Sequence, residues 1–448
     1  MTAQSMFSGS SQGARRRLAA ALSIGLVAAS GSGAASPTAA PSLVAPSPSP
    51  TVAAATAAPT SPSIAPTAVP TAIATASAGA AAAVLWTGPK LTTTPMAAAD
   101  SAKVDATVAG ALTAYPDIPG MWVGVWDPDK GSYTQAYGES VKGGAKAAIA
   151  EHGRIGSVTK TFTVTAVLEQ VAQGKLRLDS TIADVLPDLA AMYPTIAKIT
   201  VKQLAGMTSG IQDYANTGVV LKGVVADPTK VWTADELIAA AMTLPVAAPG
   251  TGGYSTTNTQ ILAKLLEKLT GKSAEQVVTE VAQQAGLTDT MLQAPDVVAM
   301  PDPSSHGYIG SKAAADLTKL GAPVKPGTDV TDWTASWGQA GGGMYSTVAD
   351  LGKWAATGLG TSLLPADLAA QRFATTKIPE GNYGLGLQDW GKGWVGHTGQ
   401  LIGWESWVAY NKETGAAFVA IINDTSSIEG PVVVGMTLFP TLIGMLGG

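Results

Sequence analysis

Short apolar stretches with the composition of β-strands lie near both ends of the part of the chain that shows ordered patterns. They form two pairs, and each pair is joined by a turn rich in Gly, Asp or Asn, which is the pattern of a β-hairpin. The four predicted strands are 121–126, 132–137, 405–410 and 416–422. Because the two hairpins are far apart in the chain, we expect one sheet that is built from N- and C-terminal segments.

Helical patterns fill the chain between these hairpins. Between about residues 178 and 330, helical stretches such as 233–242 and 260–270 alternate with loops that contain Gly and Pro. Residues 98–114 also predict a helix, which ends before Pro116. The sequence therefore predicts a mostly helical region inserted between the two halves of the sheet.

One segment after the first hairpin has a mixed pattern. Residues 158–167 are dense in Val and Thr, which favours a strand, whereas 166–174 looks helical and ends at Gly174, a natural C-terminal cap. A helix would place Ser157 and Lys160 on one face, and a strand would place them on opposite faces. The local pattern leaves both structures open.

The helical alternative would create a reactive pair. A hydroxyl is a weak nucleophile until a nearby base takes its proton, and a lysine removed from water can be that base. Lys160 follows Ser157 by one helical turn, with the positive end of the helix dipole behind both side chains. Ser-x-x-Lys alone is weak support, because a solvated lysine near a helix start has the same spacing.

Composition excludes several classes of function. The chain has 27 Lys and Arg against 32 Asp and Glu, and no basic block beyond its N-terminal end, so nothing indicates nucleic-acid binding. It contains no cysteine and only three histidines (His152, His306 and His397), none of them at a metal-ligand spacing. We therefore predict neither a metal site nor a cofactor.

The N-terminus has the pattern of an export signal. Three arginines at 15–17 precede the apolar stretch 18–29, and small residues at 30–36 suit a cleavage site. The apolar stretch is too short for an ordinary membrane-spanning helix. We predict that residues 1–35 direct export across the plasma membrane; an uncleaved anchor or a misassigned start codon are the alternatives.

A linker and a folded domain follow the signal. Ala, Pro, Ser and Thr dominate residues 36–96, which predicts a disordered linker because this composition buries too little apolar surface to fold. We predict one folded domain over 97–448. Its last segment, 431–448, is apolar but interrupted by Pro and Gly, which suits a helix packed on the sheet better than a membrane anchor.

Residues 156–163 (Gly-Ser-Val-Thr-Lys-Thr-Phe-Thr) resemble the nucleophile motif of the serine beta-lactamase and penicillin-binding protein superfamily. Within it they are most similar to the branch of class C beta-lactamases, DD-peptidases and related esterases. Other segments with similar counterparts are 174–179, 199–204, 208–211, 341–347 and 383–386. The resemblance implies an α/β (α+β) fold, with an antiparallel sheet flanked by helices, and implies that Ser157 starts a helix.

The second motif of that family, Tyr-x-Asn, corresponds to Tyr254-Ser255-Thr256. By the resemblance, the oxygen of Tyr254 would relay protons near the nucleophile. Thr256 stands where the family has an asparagine that contacts the substrate and the lysine, and its hydroxyl has a shorter reach and one donor instead of two. Asn258 would compensate if it lay one turn along a helix.

The third motif corresponds to His397-Thr398-Gly399. The resemblance implies that His397 is a cation or hydrogen-bond donor that polarises the site. It also implies that Gly399 lets a substrate approach the strand backbone. The oxyanion hole would consist of the backbone N–H groups of Ser157 and Gln400.

These residues imply acyl transfer in two steps. Ser157 attacks a carbonyl while Lys160 and Tyr254 share the role of base, and water then releases the acyl group. Which of the two takes the first proton stays open.

We expect an exported serine hydrolase, D-alanyl-D-alanine carboxypeptidase-like or beta-lactamase-related, that acts on a small-molecule or peptide substrate and associates with the cell envelope. The alternatives are a secreted esterase of the same family and a non-catalytic penicillin-binding-type protein.

The scarcity of arginine bears on the substrate. A carboxypeptidase binds a terminal carboxylate, often through an arginine, and after the export signal this chain has only Arg154, Arg177 and Arg372. Lys312 or Lys325 would be weaker substitutes, because an ammonium lacks the bidentate geometry of a guanidinium. The scarcity of arginine therefore favours an esterase somewhat more, and a carboxypeptidase somewhat less.

Overall fold

The computed structural model describes residues 91–360, 362–428 and 433–445, and it describes the side chains of the last segment from Leu438 onward. The predicted export signal and nearly all of the predicted linker lie outside the described residues.

An eight-stranded antiparallel sheet organises the fold. Its strands are β1 Gly120–Asp127, β2 Gly131–Gly138, β7 Thr376–Ile378, β8 Gly381–Tyr383, β9 Gln388–Gly391, β10 Trp394–Leu401, β11 Trp404–Asn411 and β12 Ala417–Ile422. Their order in the sheet is β2-β1-β12-β11-β10-β9-β8-β7. Because β1 pairs with β12, the N- and C-terminal hairpins join in one sheet, as the sequence predicts.

Two small sheets connect the inserted region to this frame. Their strands are β3 Gly153–Arg154, β4 Met291–Leu292, β5 Tyr308–Ile309, β6 Met344–Ser346 and β13 Asp424–Thr425. β6 pairs with β3 and β4 in antiparallel fashion, and β13 pairs with β5 in parallel. β3 ends just before the Ser157 segment, so the β3–β6 pair fixes the entry to that segment.

The α-helices of the described residues are α1 Ala98–Ala114, α2 Thr159–Ala172, α3 Ile182–Val185, α4 Pro187–Met192, α5 Val201–Ala205, α6 Val219–Ala226, α7 Ala234–Ala241, α8 Thr257–Thr270, α9 Ala274–Gln284, α10 Ser311–Lys319, α11 Gln339–Gly342, α12 Val348–Trp354, α13 Ala366–Phe373 and α14 Val433–Met445. Those from α3 to α10 form the predicted helical insertion. Short 3₁₀ turns lie at Gly156–Val158, Pro194–Ile196 and Tyr214–Thr217, and a π-helical turn lies at Ala355–Leu359. The predicted fold class is confirmed.

Helices cover both faces of the sheet, and β1 shows this in its side chains. Met121 and Val123 belong to an apolar cluster with α1 and α14, whereas Trp122 and Trp126 belong to the larger cluster around α2. All eight residues of β1 are buried. A strand that is buried on both faces has a continuous apolar sequence instead of an alternating one.

The C-terminal helix α14 packs on the sheet. Its residues Leu438, Phe439 and Leu442 are buried in the same cluster as Met121, and the ring of Phe439 lies 4.7 Å from that of Trp407. Within the described residues, the helices are too short or too polar to span a membrane. The predicted helix on the sheet is therefore the observed structure.

Candidate active site

Ser157 and Lys160 lie on one continuous helical segment. Ser157 is in the 3₁₀ turn Gly156–Val158, and Lys160 is in the first turn of α2. Of the two structures that the local pattern left open, the helix is the observed one. The threonines that favoured a strand are accommodated because their hydroxyls bond to carbonyls: Thr161 to Val158 (2.7 Å) and Thr165 to Thr161 (2.7 Å).

The amine of Lys160 is in position to act on the Ser157 hydroxyl. Its Nζ lies 3.0 Å from Ser157 Oγ and donates to the carbonyl of Gly341 at 2.7 Å. The side chain is fully buried, and burial lowers the pKa of Lys160 to about 7, although the negative charge of Asp213 opposes that shift. About half of these amines are therefore uncharged near neutral pH.

Tyr254 lies beside this pair. Its ring is 4.9 Å from Lys160 Nζ, and its hydroxyl hydrogen-bonds with Ser157. Burial raises the pKa of Tyr254 well above its ordinary value, and the bond with Ser157 only partly offsets this. The phenol therefore stays protonated at neutral pH.

His397 is a neutral imidazole with both ring nitrogens occupied. Nδ1 faces the carbonyl oxygen of Thr398, which can only accept, so Nδ1 carries the proton and Nε2 accepts from the Tyr383 hydroxyl at 2.9 Å. Burial first, and the nearby charge of Lys160 second, lower the pKa of His397 to about 3. The cationic form that the resemblance allowed for His397 is therefore corrected to a neutral one.

Two site residues were missed by the sequence reasoning. Tyr383 on β8 packs edge-on against both Tyr254 and His397, with ring centroids 6.1 and 5.7 Å away. Asp213 accepts a hydrogen bond from the backbone N–H of Thr256 at 2.7 Å. Its negative charge raises the pKa of Lys160 and so opposes the effect of burial. Segment 383–386 resembles its family counterpart, but its sequence indicates no role for Tyr383.

Thr256 occupies the position before the first residue of α8 without a side-chain capping bond, and Asn258 does not replace the missing asparagine. The Thr256 hydroxyl makes no hydrogen bond with the described residues, so it is available to a substrate. Asn258 is fully buried and bonds to Ser209 Oγ at 2.7 Å and to Met207 Sδ at 3.4 Å. The proposed compensation by Asn258 is therefore wrong.

The Ser157 segment packs against an open edge of β10. β9 pairs with β10 only at Trp394–Gly396, and Gly156 lies against the next part of the strand. A Cβ on Gly156, which has φ +49°, would lie 2.3 Å from Gln400 N, so the approach requires glycine. This brings Ser157 and Gln400 into adjacent segments, as the predicted oxyanion hole requires.

Thr398 and Gly399 have different surroundings on β10. Thr398 is half-buried, and its N–H donates to Gln388 Oε1 at 3.2 Å. A Cβ on Gly399 would lie 2.0 Å from the Ile155 carbonyl oxygen. The close approach of the Ile155 carbonyl therefore requires glycine at this position, and the role of Gly399 in substrate approach stays a prediction.

No described arginine is available for a substrate carboxylate. Arg372 is fully buried against α2, where it donates to Thr165 Oγ1 (2.9 Å) and to the carbonyls of Thr161 and Gly358. Arg154 donates to Gln293 and to two carbonyls, and Arg177 is exposed and paired with Asp179.

The two lysines that were considered as substitutes have other positions. Lys312 is held by Asp316 at 2.6 Å and by Ser427 at 2.7 Å. Lys325 lies in a turn closed by Thr328, and no hydrogen bond or ion pair within the described part of the chain connects it to the site. The described residues also contain no group of three or more His, Asp or Glu that could hold a metal ion.

The geometry agrees with what comparison with known proteins shows. The sequence model of the beta-lactamase family matches residues 108–435. The chain belongs to this family. The prediction of a beta-lactamase-related serine hydrolase is thereby confirmed at the level of the family.

Three relatives give more detail. Penicillin-binding protein 4 of Amycolatopsis lactamdurans is 27% identical over 271 residues, which cover 58% of this chain and 64% of the relative. A D-aminopeptidase of Brucella anthropi is 28% identical over 258 residues, covering 55% of this chain and 45% of the relative. The chain thus spans less than two thirds of these curated relatives. The structure of a D-stereospecific amidohydrolase from Streptomyces sp. superposes with a TM-score of 0.62 at 28% identity, over 77% of this chain and 98% of that one.

Proposed function

We propose that this protein is an exported serine hydrolase that cleaves amide, lactam or ester carbonyls through an acyl-enzyme on Ser157. The observation that carries the proposal is the buried amine of Lys160, 3.0 Å from Ser157 Oγ, with a pKa of about 7. A lysine in water stays charged at this pH and cannot take a proton.

The first step is acylation. Uncharged Lys160 takes the proton of Ser157, and the freed Oγ attacks the carbonyl carbon. The N–H groups of Ser157 and Gln400 stabilise the resulting oxyanion, and loss of one such donor typically costs about 3 kcal/mol. Lys160 is the better base of the two candidates, because burial lowers the pKa of Lys160 and raises that of Tyr254.

Tyr254 then assists the leaving group. Its hydroxyl bonds to Ser157 and its ring lies against Lys160, so the phenol can donate its proton to the leaving nitrogen or oxygen while Lys160 returns a proton to it. His397 and Tyr383 hold the Tyr254 ring from the side.

In the second step, a water molecule attacks the acyl carbonyl. Lys160 takes a proton from the water, the bond between the acyl carbon and Ser157 Oγ breaks, and Lys160 passes that proton to the departing Oγ. The products are a carboxylic acid and the free enzyme.

An amide or ester substrate fits the site better than a peptide with a terminal carboxylate. The three arginines of the described chain are all engaged elsewhere, which leaves the carboxypeptidase alternative without a guanidinium to bind its substrate. The names of two relatives, a D-aminopeptidase and a D-stereospecific amidohydrolase, point to amide substrates.

Covalent labelling tests this proposal. We expect a fluorophosphonate or fluorescent penicillin to add one adduct to the protein, detected by intact mass, and we expect Ser157→Ala to remove it. Thr259→Val, in the first turn of α8, is a matched control that keeps the Ser157–Lys160 pair intact. A protein that neither probe labels would support the non-catalytic alternative.

Export is tested separately, by finding the mature chain outside the plasma membrane without residues 1–35.

A further inference from the structure

The β7–β8 hairpin forms one wall of the candidate active site. Tyr383 on β8 bonds to His397, and Ile378 at the end of β7 packs with Met207, Tyr254 and Tyr383. Glu380 lies in the turn between the two strands, and its Oε2 accepts the backbone N–H of Tyr254 at 3.2 Å. This bond fixes a carboxylate at the rim of the site, next to a residue that contacts the nucleophile.

One of the two carboxylate oxygens of Glu380 has no hydrogen-bond partner among the described residues. Glu380 is exposed, and its Oε1 makes no hydrogen bond with the described residues. The negative charge of Glu380 also acts on Tyr254. After burial, the charges of Asp213 and Glu380 are the main causes that raise the pKa of Tyr254.

No described cation neutralises this rim. The arginines are engaged elsewhere, and Lys160 is fully buried and about half uncharged near neutral pH. Lys377 precedes buried Ile378 in β7, so its side chain points to the opposite face of the hairpin. The open face of the site therefore presents a fixed negative charge.

We propose that Glu380 is a specificity-determining residue that binds the ammonium group of a substrate with a free amino group near the scissile carbonyl. The inference rests on the proposed function and names its substrate class: aminoacyl amides or esters in preference to acids with a free carboxylate. Oε2 keeps its bond to the Tyr254 N–H, and Oε1 accepts an N–H of the ammonium group.

The test compares two substrates with two forms of the enzyme. The substrates are D-phenylalanine p-nitroanilide, with a free amine, and its N-acetyl derivative. Glu380→Gln keeps an oxygen that can accept from Tyr254 N–H but removes the charge. We expect kcat/KM on the free-amine substrate to fall about tenfold to a hundredfold in this variant, and kcat/KM on the N-acetyl substrate to stay unchanged.

The pH profile separates recognition from a structural role. With the free-amine substrate, kcat/KM of the wild type should rise as Lys160 loses its proton near pH 7, and fall again as the substrate ammonium deprotonates near about pH 8. The N-acetyl substrate should show the rise alone, and Glu380→Gln should remove the fall.

Other outcomes overturn the inference. Equal losses on both substrates would make Glu380 a structural residue, and no loss on either would remove it from substrate binding. Turnover of p-nitrophenyl acetate without turnover of the free-amine substrate would also refute the inference but preserve the proposed function. If the wild type cleaves none of the three substrates faster than Ser157→Ala does, the proposed function itself is wrong, and the inference falls with it.

Discussion

At the scale of single residues, burial sets the chemistry of the site by favouring the uncharged forms of Lys160, His397 and Tyr254. It lowers the pKa of Lys160 to about 7, lowers the pKa of His397 to about 3, and raises the pKa of Tyr254. Of these three groups, only Lys160 changes its charge near neutral pH. Lys160 is therefore assigned as the group that takes the first proton, Tyr254 starts the reaction as a protonated phenol that can donate to the leaving group, and His397 stays neutral.

The Thr256 hydroxyl makes no hydrogen bond with the described residues, so its removal should affect substrate binding and not the fold. We expect Thr256→Val, which keeps the shape, to reduce kcat/KM about tenfold while the free energy of unfolding changes by less than about 0.5 kcal/mol. Steady-state kinetics and urea unfolding measure the two quantities.

Thr259→Val is the matched control for that variant. Thr259 is buried, and its hydroxyl donates to the Thr256 carbonyl at 2.7 Å, so its loss should cost about 1 kcal/mol of stability. Unchanged kcat/KM in Thr256→Val would mean that the substrate does not contact this hydroxyl.

Motif spacing identified the residues that the family carries in short linear segments, and the structure brings Ser157, Lys160, Tyr254 and His397 together. Motif spacing could not identify Asp213 or Tyr383. Asp213 acts through a bond to Thr256, 43 positions away, and Tyr383 through one to His397, 14 positions away. Such contacts depend on tertiary structure, and neither residue has a local pattern that distinguishes it from a turn or strand residue.

At the scale of elements, α2 shows why local pattern could not decide between helix and strand. Its residues from Thr159 to Leu168 are all buried, so the segment lacks the polar face that marks a surface helix. Its Val and Thr residues are tolerated because tertiary packing outweighs weak local propensity. The hairpins β1–β2 and β11–β12 were predictable because their turns carry strong local signals.

The β7–β8 hairpin places Tyr383 against His397, and its contribution can be measured with Tyr383→Phe. This change removes the hydroxyl that donates to Nε2 and leaves a buried acceptor unpaired. We expect a loss of about 1–3 kcal/mol in the free energy of unfolding and a lower kcat, because His397 no longer supports Tyr254.

Tyr193→Phe provides the comparison, since the Tyr193 hydroxyl makes no hydrogen bond with the described residues. This variant should match the wild type in urea unfolding and in kcat. A Tyr383→Phe enzyme with reduced stability but wild-type kcat would show that the hairpin supports the fold and not the reaction.

At the scale of the whole molecule, the sheet and the helical insertion enclose a group that the fold would exclude if stability were the only requirement. Lys160 is fully buried in the interior between α2, α8 and α11, and it has the groups of Ser157, Gly341 and Tyr254 around it. Keeping an amine there costs stability whenever the unfolded chain would hold a proton that the folded chain must release. The proposed activity and the stability of the fold therefore oppose each other at this residue.

This opposition predicts a specific dependence of stability on pH. Lys160 has a pKa of about 7 in the folded protein against an ordinary value of 10.5, so its cost is absent above about pH 10.5, grows as pH falls, and is complete below about pH 7. Lys160→Met removes the amine. Relative to this variant, the wild type should lose about 1.4 kcal/mol per pH unit between pH 9.5 and 7, and no more below. The hydrogen bonds that the variant loses add an offset that does not vary with pH.

Urea unfolding of both proteins measures the difference in the free energy of unfolding. Lys103→Met, at an exposed ion pair, should not show this dependence on pH. A constant difference between pH 6 and 9.5 would mean that Lys160 stays charged in the folded protein and cannot be the base.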